Sequence, residues 1–387
     1  MTQIAILVEN SRAYGRTLIE GVAAYAQDNF SWLLRPVAAA EALTANLRSF
    51  DGIIARIADE RLARRIQQAD RPAVDVFCQR PRIGLAGVDS DHRKIGILAR
   101  DFFTSRGFRN FAFCGFPGTA FSDAREKAFS DETTHVYSPR KRLLPDESQF
   151  YNERVDRIQD GRSLSRWLKT LPKPCAVFCC NDLRAIQLQR VAIDDGLRVP
   201  EDLAILGVDN DTIACSFAEV PISSINPNSF EIGRAAARIL GAMLVKKAAK
   251  RHHRIHSVKP GEITERTSTE FMPIDPPWLG QVLMHIEKNM RRPIPAAEIF
   301  ALSERSSTFV ENVFKAKLGM PVQAYVTSVK MREARRLIDN PSLRISEIGD
   351  LCGFSSPQYF CRTFAATFGM SPRASREQLA ARGRLPV

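Results

Sequence analysis

The sequence predicts a two-lobed α/β domain with parallel sheets, followed by an all-α domain built from two copies of a small helical unit. Short apolar runs alternate with amphipathic segments of helical length over residues 1–271, which is typical of parallel sheets covered by helices. After a proline-rich segment only helical patterns follow, and one string of residues recurs at an offset of 50. A chain of 387 residues is long enough for two or three ordinary domains.

The α/β region is predicted from its apolar runs and from the amphipathic segments between them. Because the region is long for one doubly wound sheet, we expect two lobes with a cleft between them. The predicted strands are Ile4–Val8, Gly52–Ala55, Ala73–Phe77, Phe111–Gly115, Ala176–Cys180 and Ala204–Val208, and the predicted helices are Gly15–Gln27, Arg93–Arg106 and Asp182–Gly196.

The domain boundary is predicted at residues 272–277, whose prolines stop regular structure and suit a stiff linker. The remaining domain, 278–387, also differs in charge. Residues 276–387 carry +7 of the formal net charge of +12, and no acidic residue lies between Leu351 and Arg376. A basic, acid-free stretch indicates a nucleic-acid partner or an anionic membrane surface.

An internal repeat divides the helical domain into two copies. Residues 314–321 (FKAKLGMP) recur as residues 364–372 (FAATFGMSP). The copies are predicted at about 294–320 and 345–372. A long helix from about Pro321 to Ile338 is predicted to join them, since its apolar residues recur at helical spacing.

The second copy has the pattern of a helix-turn-helix. Its first helix is predicted to end at Cys352, where Gly353 can adopt the left-handed conformation of a helix end. Ser355 or Ser356 is predicted to cap the next helix, with Pro357 at or near its first position.

The second helix of this copy presents different chemistry on its two sides. Phe360 and Phe364 share an inward face, which leaves Gln358 and Arg362 on another face one turn apart. The N-terminal turns of such a helix enter the major groove, where arginine suits guanine and glutamine suits adenine. The alternative from pattern alone is a helical hairpin with a solvated polar face.

This stretch resembles the second helix-turn-helix of the AraC/XylS family of transcription regulators. The matching strings are I-x-E-I at 345–348, G-F at 353–354, Y-F-x-R-x-F at 359–364 and F-G-x-x-P at 368–372. Gly349 replaces the usual alanine, and Ser375 stands where an aromatic residue is common. The resemblance implies a regulator that binds double-stranded DNA, and its DNA-binding residues would include Ser356, Gln358 and Arg362.

The first copy departs further from the family pattern. Glu304 occupies the turn, where the family usually has glycine, and the following helix has no arginine. By resemblance, Thr308, Glu311 and Asn312 hold the groove-facing positions. Glutamate can accept from a cytosine amino group and asparagine can pair with adenine, but a mainly structural first copy remains the alternative.

The N-terminal domain resembles the sugar-binding core of lactose-repressor-type regulators and periplasmic sugar-binding proteins. A sugar-binding core followed by AraC-type helices is the arrangement of xylose-responsive activators. The resemblance therefore implies a sugar effector and an activator of pentose genes, with D-xylose as the model sugar. The matching segments are 50–54, 89–96, 176–182, 196–209, 223–227 and 232–234.

The sugar site is expected at the carboxyl ends of the strands, where Asn181 and Asp209 each follow an apolar run. Their side chains can bind vicinal hydroxyls, and an arginine can donate to sugar oxygens. By family position, Asp91 and Arg125 would face them across the cleft. Further candidates are Glu9, Ser11, Tyr14 and Arg16 for the rim, and Phe116 and Phe121 for stacking or core packing. The alternatives are helix N-caps for Asn181 and Asp209 and surface loop for the rim residues.

The expected partners are DNA, a small sugar, a second copy of the chain and, for an activator, RNA polymerase. A homodimer is expected because lactose-type cores commonly pair and an operator with two half-sites needs two readers. No membrane association is expected, since no apolar run approaches the ~18–20 residues of a bilayer span. Without an export signal, the eight cysteines are expected to be reduced thiols in the cytoplasm.

Motifs of enzymes are missing from the sequence. It contains no phosphate-binding loop, dinucleotide fingerprint, nucleophile elbow or zinc-protease motif, so we expect no catalysis, no cofactor and no metal. Two other hypotheses stay open: a DNA-binding protein whose sugar-type domain serves only dimerisation, and an enzyme of sugar metabolism. The residues decide neither the sugar nor activation against repression.

Overall fold

The computed structural model describes residues 1–58, 60–79, 84–138, 160–246, 255–338 and 340–382. The chain forms two compact units, Met1–Glu270 and Phe271–Val387. Parallel sheets occupy the first unit and helices the second, so the predicted fold class is confirmed. Within the described ranges, no helix has the length and apolar character needed to cross a bilayer.

Two six-stranded sheets form the first unit, in the orders β11-β5-β4-β3-β1-β2 and β12-β10-β9-β8-β6-β7. Neighbouring strands are parallel, except that β12 runs antiparallel to β10. The first sheet contains β1 (Thr2–Leu7), β2 (Trp32–Pro36), β3 (Gly52–Ala55), β4 (Ala73–Asp75), β5 (Ala86–Ser90) and β11 (Ile255–Val258). The second contains β6 (Phe111–Cys114), β7 (His135–Val136), β8 (Cys175–Cys179), β9 (Leu203–Val208), β10 (Ser223–Ile225) and β12 (Ile263–Thr264).

All six predicted strands are present, and each lies inside its sheet. Their apolar runs are buried on both faces, which is why their sequence signal is clear. The strands that the sequence did not predict are shorter, lie at sheet edges or carry polar residues. β10, for example, reads Ser-Ser-Ile and is buried only because it pairs between β9 and β12.

The order of strands divides the first unit into two lobes. One lobe holds β1–β5 and β11, and the other holds β6–β10 and β12, so the chain crosses between lobes after β5, after β10 and after β11. The helices are α1 (Ala13–Asn29), α2 (Ala39–Ala42), α3 (Glu60–Ala69), α4 (His92–Ser105), α5 (Ala120–Phe129), α6 (Gly161–Thr170), α7 (Asp182–Asp194), α8 (Thr212–Phe217) and α9 (Ser229–Lys246).

Helices α1 and α9 pack closely against each other over the first sheet. A Cβ atom at Gly233 would lie 1.9 Å from the carbonyl oxygen of Leu18, which no side chain can occupy. Glycine at this position therefore lets the two helix backbones touch and covers the apolar face of the sheet.

In its described residues, the second unit is helical, and its helices are grouped around two small cores. The helices are α10 (Pro277–Asn289), α11 (Ala296–Ser303), α12 (Ser307–Leu318), α13 (Val322–Leu337), α14 (Ile345–Leu351), α15 (Pro357–Phe368) and α16 (Pro372–Arg382). Phe314 is fully buried in the first core and Phe364 in the second. Helix α13 joins the two cores, because it packs Val326 into the first and Ala334 into the second.

The segment 272–277, predicted as a linker, belongs to the second unit in the structure. Met272 is buried in the first helical core, and Pro277 is the first residue of α10. Proline is well suited to the first position of a helix. A backbone N–H at that position has no hydrogen-bond partner within the helix, so its absence in proline costs no hydrogen bond.

Candidate ligand cavity and DNA-binding helices

The carboxyl ends of the two sheets enclose a cavity of about 220 Å³ in the first unit. Ligands of open parallel sheets bind at this edge. The volume lies below the ~300–1,000 Å³ of drug-sized sites, so the cavity suits a small molecule. Its lining consists of Glu9, Arg12, Tyr14, Arg56, Phe77, Asp89, His92, Phe121, Arg125, Asn181, Asp182, Leu183, Ile186, Asp209, Asp211 and Ala214.

Asn181 and Asp182 stand where β8 passes into α7. Oδ1 of Asn181 accepts a hydrogen bond from the backbone N–H of Arg184 at 2.9 Å, which caps the helix. The Asp182 carboxyl accepts from the Ser224 hydroxyl at 2.5 Å and from the backbone N–H of Asp211 at 2.9 Å. Asn181 is therefore both a helix cap and a cavity residue, and its amide NH2 group remains a donor.

Asp209 follows β9 with a φ of 118°, which a non-glycine residue rarely adopts and which is typical of functional sites. Burial raises the pKa of its carboxyl to about 6, although Arg125 and Arg56 act in the opposite direction. Burial also raises the pKa of Asp182 to about 8, and the Asp209 carboxylate adds to that shift. At neutral pH the Asp209 carboxyl is thus mainly ionised and the Asp182 carboxyl mainly neutral.

Arg125 is a buried guanidinium on α5, only 3% exposed. Its Nη1 donates to the carbonyl oxygen of Cys180, and its Nη2 lies 3.4 Å from Nδ1 of His92. Because arginine only donates, His92 accepts at Nδ1 and turns its Nε2 hydrogen to Asp89, 3.3 Å away. Nε of Arg125 is enclosed without a hydrogen-bond partner among the described residues, whereas Nη1 and Nη2 each carry a second hydrogen that can donate to a ligand oxygen.

Aromatic rings form the apolar part of the cavity wall. The guanidinium carbon of Arg56 lies 4.1 Å from the ring centroid of Phe77 and 5.3 Å from that of Tyr14. The rings of Phe77 and Phe121 have centroids 6.2 Å apart. An apolar wall beside convergent polar groups suits a polyol with a C–H face. Phe116, the other aromatic candidate, is buried outside this lining.

Hydrogen bonds join the lobes beside the cavity. The backbone N–H of Phe121 donates to Oε1 of Gln79 at 3.0 Å, and that of Ala13 donates to Asp211 at 3.2 Å. Gln79 and Ala13 belong to the first lobe, whereas Phe121 and Asp211 belong to the second. These contacts between the lobes do not involve the side chains of Asn181 and Asp209.

Five of the eight side chains predicted for the sugar site line this cavity, namely Glu9, Tyr14, Arg125, Asn181 and Asp209. Asp91 does not: it caps α4 by accepting from the backbone N–H of Lys94 at 3.0 Å and pairs with the Lys94 ammonium. Ser11 and Arg16 also lie outside the lining, where Arg16 donates to the carbonyl oxygen of Ser11 at 2.6 Å. Ser11 lies on the loop after β1, and Arg16 lies in the first turn of α1.

Several polar lining residues were not predicted from the sequence: Arg12, Arg56, Asp89, His92, Asp182 and Asp211. Two of them carry a usable signal, since Asp182 follows Asn181 directly and Arg56 follows the predicted strand Gly52–Ala55. Asp89 replaces Asp91 because β5 extends to Ser90 and brings the earlier aspartate to the strand end.

The second helical copy has the helix-turn-helix geometry that the sequence predicts. Gly353 follows α14 with a φ of 67°. Oγ of Ser356 accepts from the backbone N–H of Tyr359 at 3.2 Å and caps α15. Gln358 and Arg362 are both exposed, and the guanidinium carbon of Arg362 lies 5.6 Å from the ring centroid of Tyr359. The exposed ring of Tyr359, which was not among the predicted DNA-binding residues, helps to orient this arginine.

The first copy keeps the same helix pair but uses its polar residues differently. Thr308 and Asn312 are exposed on α12. Glu311 is half-buried, and its Oε2 accepts from the backbone N–H of Val322 at 3.3 Å, at the start of α13. A carboxylate at a helix N-terminus stabilises that helix, so Glu311 has an intramolecular role.

Comparisons with known proteins agree with this arrangement. The family described as periplasmic binding protein-like domain matches residues 100–269, and the one described as helix-turn-helix domain matches residues 296–378. The xylose operon regulatory protein of Escherichia coli K12 is 25% identical over 396 aligned residues, which cover 97% of each chain. That of Haemophilus influenzae is 25% identical over 389 residues, covering 97% of this chain and 98% of the relative.

The chain is a transcription regulator with a periplasmic-binding-protein-like domain and a helix-turn-helix domain. A solved structure described as the xylose-binding transcription activator xylR is similar to this regulator over 97% of both chains, with a TM-score of 0.59 and 25% identity. A ribose-bound LacI-family regulator of Enterococcus faecalis matches 69% of the regulator and 98% of its own chain, with a TM-score of 0.54 and 19% identity. The second likeness shows the fold alone.

Proposed function

We propose that this regulator is an activator of pentose catabolic genes whose effector is D-xylose or a closely similar sugar. The cavity carries the proposal, because a small space at the strand ends combines carboxyl, amide and guanidinium groups with aromatic rings. A monosaccharide offers matching vicinal hydroxyls and an apolar face. Relatives that align over almost the whole chain are named for xylose, which supports the choice of sugar.

The proposed sugar contacts follow from the chemistry of the lining. Ionised Asp209 accepts from a pair of hydroxyls, Asn181 donates and accepts beside it, and the Arg125 guanidinium donates to a sugar oxygen. Glu9 and Tyr14 complete the rim, and Asp89 takes the place first expected for Asp91.

The sugar signal would pass through the lobes to paired DNA-binding units. A ligand shifts a conformational equilibrium only if it binds one state better, and a cavity lined by both lobes provides such a difference. We propose a homodimer that reads double-stranded DNA through Gln358 and Arg362, with Thr308 and Asn312 in the first copy. RNA polymerase in the cytoplasm would be the partner of the activated dimer.

The binding experiment uses calorimetry and thermal shift with D-xylose, L-arabinose, D-ribose and D-glucose. For Asp209→Asn we expect a loss of roughly 2–4 kcal/mol of sugar binding free energy, because a charged acceptor of buried hydroxyls is removed. Asp91→Asn is the matched control, since asparagine also caps helices and Asp91 lies outside the lining. Loss in Asp91→Asn with full binding in Asp209→Asn would contradict the assignment.

Sugar-dependent transcription is the second measurement. A promoter fused to a reporter should respond to the sugar that stabilises the purified protein, and light scattering should give the mass of a dimer. If no sugar stabilises the protein while operator binding is intact, the first unit serves dimerisation only and the proposed effector is wrong.

A further inference from the structure

A second concavity of about 310 Å³ lies on the first lobe, between α9 and β11. It shares no lining residue with the central cavity. Arg234 and Arg238 line it from α9, His256 lines it from β11, and Lys259 follows that strand. Basic side chains from two separate elements thus converge on one hollow.

The positive charge in this hollow is mostly uncompensated. Arg234 donates to Glu231 at 3.2 Å, which accounts for the one carboxylate in the lining. Within the ranges that the structure describes, neither Arg238 nor Lys259 forms an ion pair. Residues 247–254, whose structure is not described, contain no acidic residue and so add no counter-charge.

The arrangement carries a small electrostatic cost that a bound anion would remove. Arg234 and Arg238 stand four residues apart on one helix, where like charges repel by a few tenths of a kcal/mol. Arginine guanidinium groups bind phosphate oxygens through paired, charge-assisted hydrogen bonds, and a lysine adds a mobile point charge. The hydroxyls of Ser257 and Tyr25 in the same lining supply neutral donors.

We propose that this concavity is a binding site for a small phosphorylated metabolite, which makes the regulator responsive to a second effector. Every residue that lines the hollow belongs to the first unit, and its concave shape suits a small ligand better than an extended surface. The ligand's phosphate group contacts Arg238 and Lys259, and Arg234 exchanges part of its contact with Glu231 for the anion.

The test uses inorganic pyrophosphate as the probe on the full-length protein, at constant ionic strength set with sodium chloride. Calorimetry and thermal shift compare the wild type with Arg238→Gln/Lys259→Gln. We expect saturable binding to the wild type and a loss of tenfold or more in the double variant. Both side chains are exposed, so the variant should fold, and circular dichroism checks this.

The matched control is Arg61→Gln/Arg190→Gln, which removes two exposed charges elsewhere on the same unit. It should bind pyrophosphate within twofold of the wild type. An equal loss in the control, or no saturable binding to the wild type, would overturn the proposal.

DNA phosphates are the other source of this chemistry, and a gel-shift series separates them from a free metabolite. Without pyrophosphate, we expect all three proteins to bind operator DNA within twofold of one another. A tenfold loss of DNA binding confined to Arg238→Gln/Lys259→Gln would assign the concavity to the DNA backbone and refute a metabolite site.

Discussion

Glu304 and Gly353 end the first helix of the two helical copies in the same left-handed backbone conformation, with φ angles of 54° and 67°. The conformation is easy for glycine and unfavourable for glutamate. Gly353 has a second constraint, because a Cβ atom there would lie 2.6 Å from the backbone of Arg291 and Arg292. The exposed Glu304 carries only the conformational penalty.

Glu304→Gly should stabilise the second unit by about 1 kcal/mol, since it removes the left-handed penalty without removing a buried contact. Thermal unfolding of the full-length protein, followed by circular dichroism, measures the change. Gly353→Ala is the opposite case and should destabilise the unit, because it adds both strain and a clash. Equal effects of the two substitutions would show that the turn conformation is not the determining factor.

Lys330 should be required for the position of the second helix-turn-helix. Its ammonium donates to the carbonyl oxygens of Arg292 at 2.9 Å and Gly353 at 2.6 Å, and the side chain is buried. Lys330→Met should cost about 1–3 kcal/mol, because it leaves two acceptors without their donor. Denaturant unfolding and operator gel shifts should both report the loss, whereas Arg332→Met on the exposed side of α13 should change little.

Sugar affinity should depend on pH through Asp209. Its pKa of about 6 means that the ionised acceptor form dominates above pH 7 and is lost as the pH falls below 6. The sugar dissociation constant should therefore rise by up to tenfold for each pH unit below 6. Calorimetry between pH 5 and 8 measures this profile, and Asp209→Asn should give weak binding with a flatter profile.

Base-specific DNA binding should reside mainly in the second copy. Arg362→Ala should cost ~1–3 kcal/mol and relax discrimination at one or two base pairs, because an exposed arginine on α15 is removed. Glu311→Ala should change DNA affinity little or raise it, since it removes an anion from the phosphate field. Its effect should be a loss of helix stability, because Glu311 caps α13. If gel shifts at fixed salt show a lower DNA affinity for Glu311→Ala than for Arg362→Ala, the first copy is the main reader of bases and the assignment is reversed.

Some residues of the cavity can be predicted from the sequence, and others cannot. Asn181 and Asp209 follow long apolar strands, so their place at the sheet edge can be predicted from local pattern alone. Asp91 and Asp89 cannot be separated in this way, because the end of β5 depends on its pairing with β4 and β11. Asp89 lines the cavity, whereas Asp91, only two residues later, caps α4.

Long-range packing decided the roles that local pattern left open. Glu311 lies on the helix expected to read DNA, yet its carboxylate bonds to Val322, eleven residues away. His92 connects Asp89 to Arg125 only because α4 and α5 pack together after the chain crosses between lobes.

The sequence by itself determined the order of α/β and helical units, the central strands and the two helix-turn-helix copies. These features depend on local periodicity, capping residues and a repeated string, all of which act over a few neighbouring residues. The tertiary structure alone decided which charged groups share the cavity, which carboxyls change their pKa, and why glutamate is tolerated at 304 but not at 353. Burial and close contact between distant segments set those properties, and no local pattern records them.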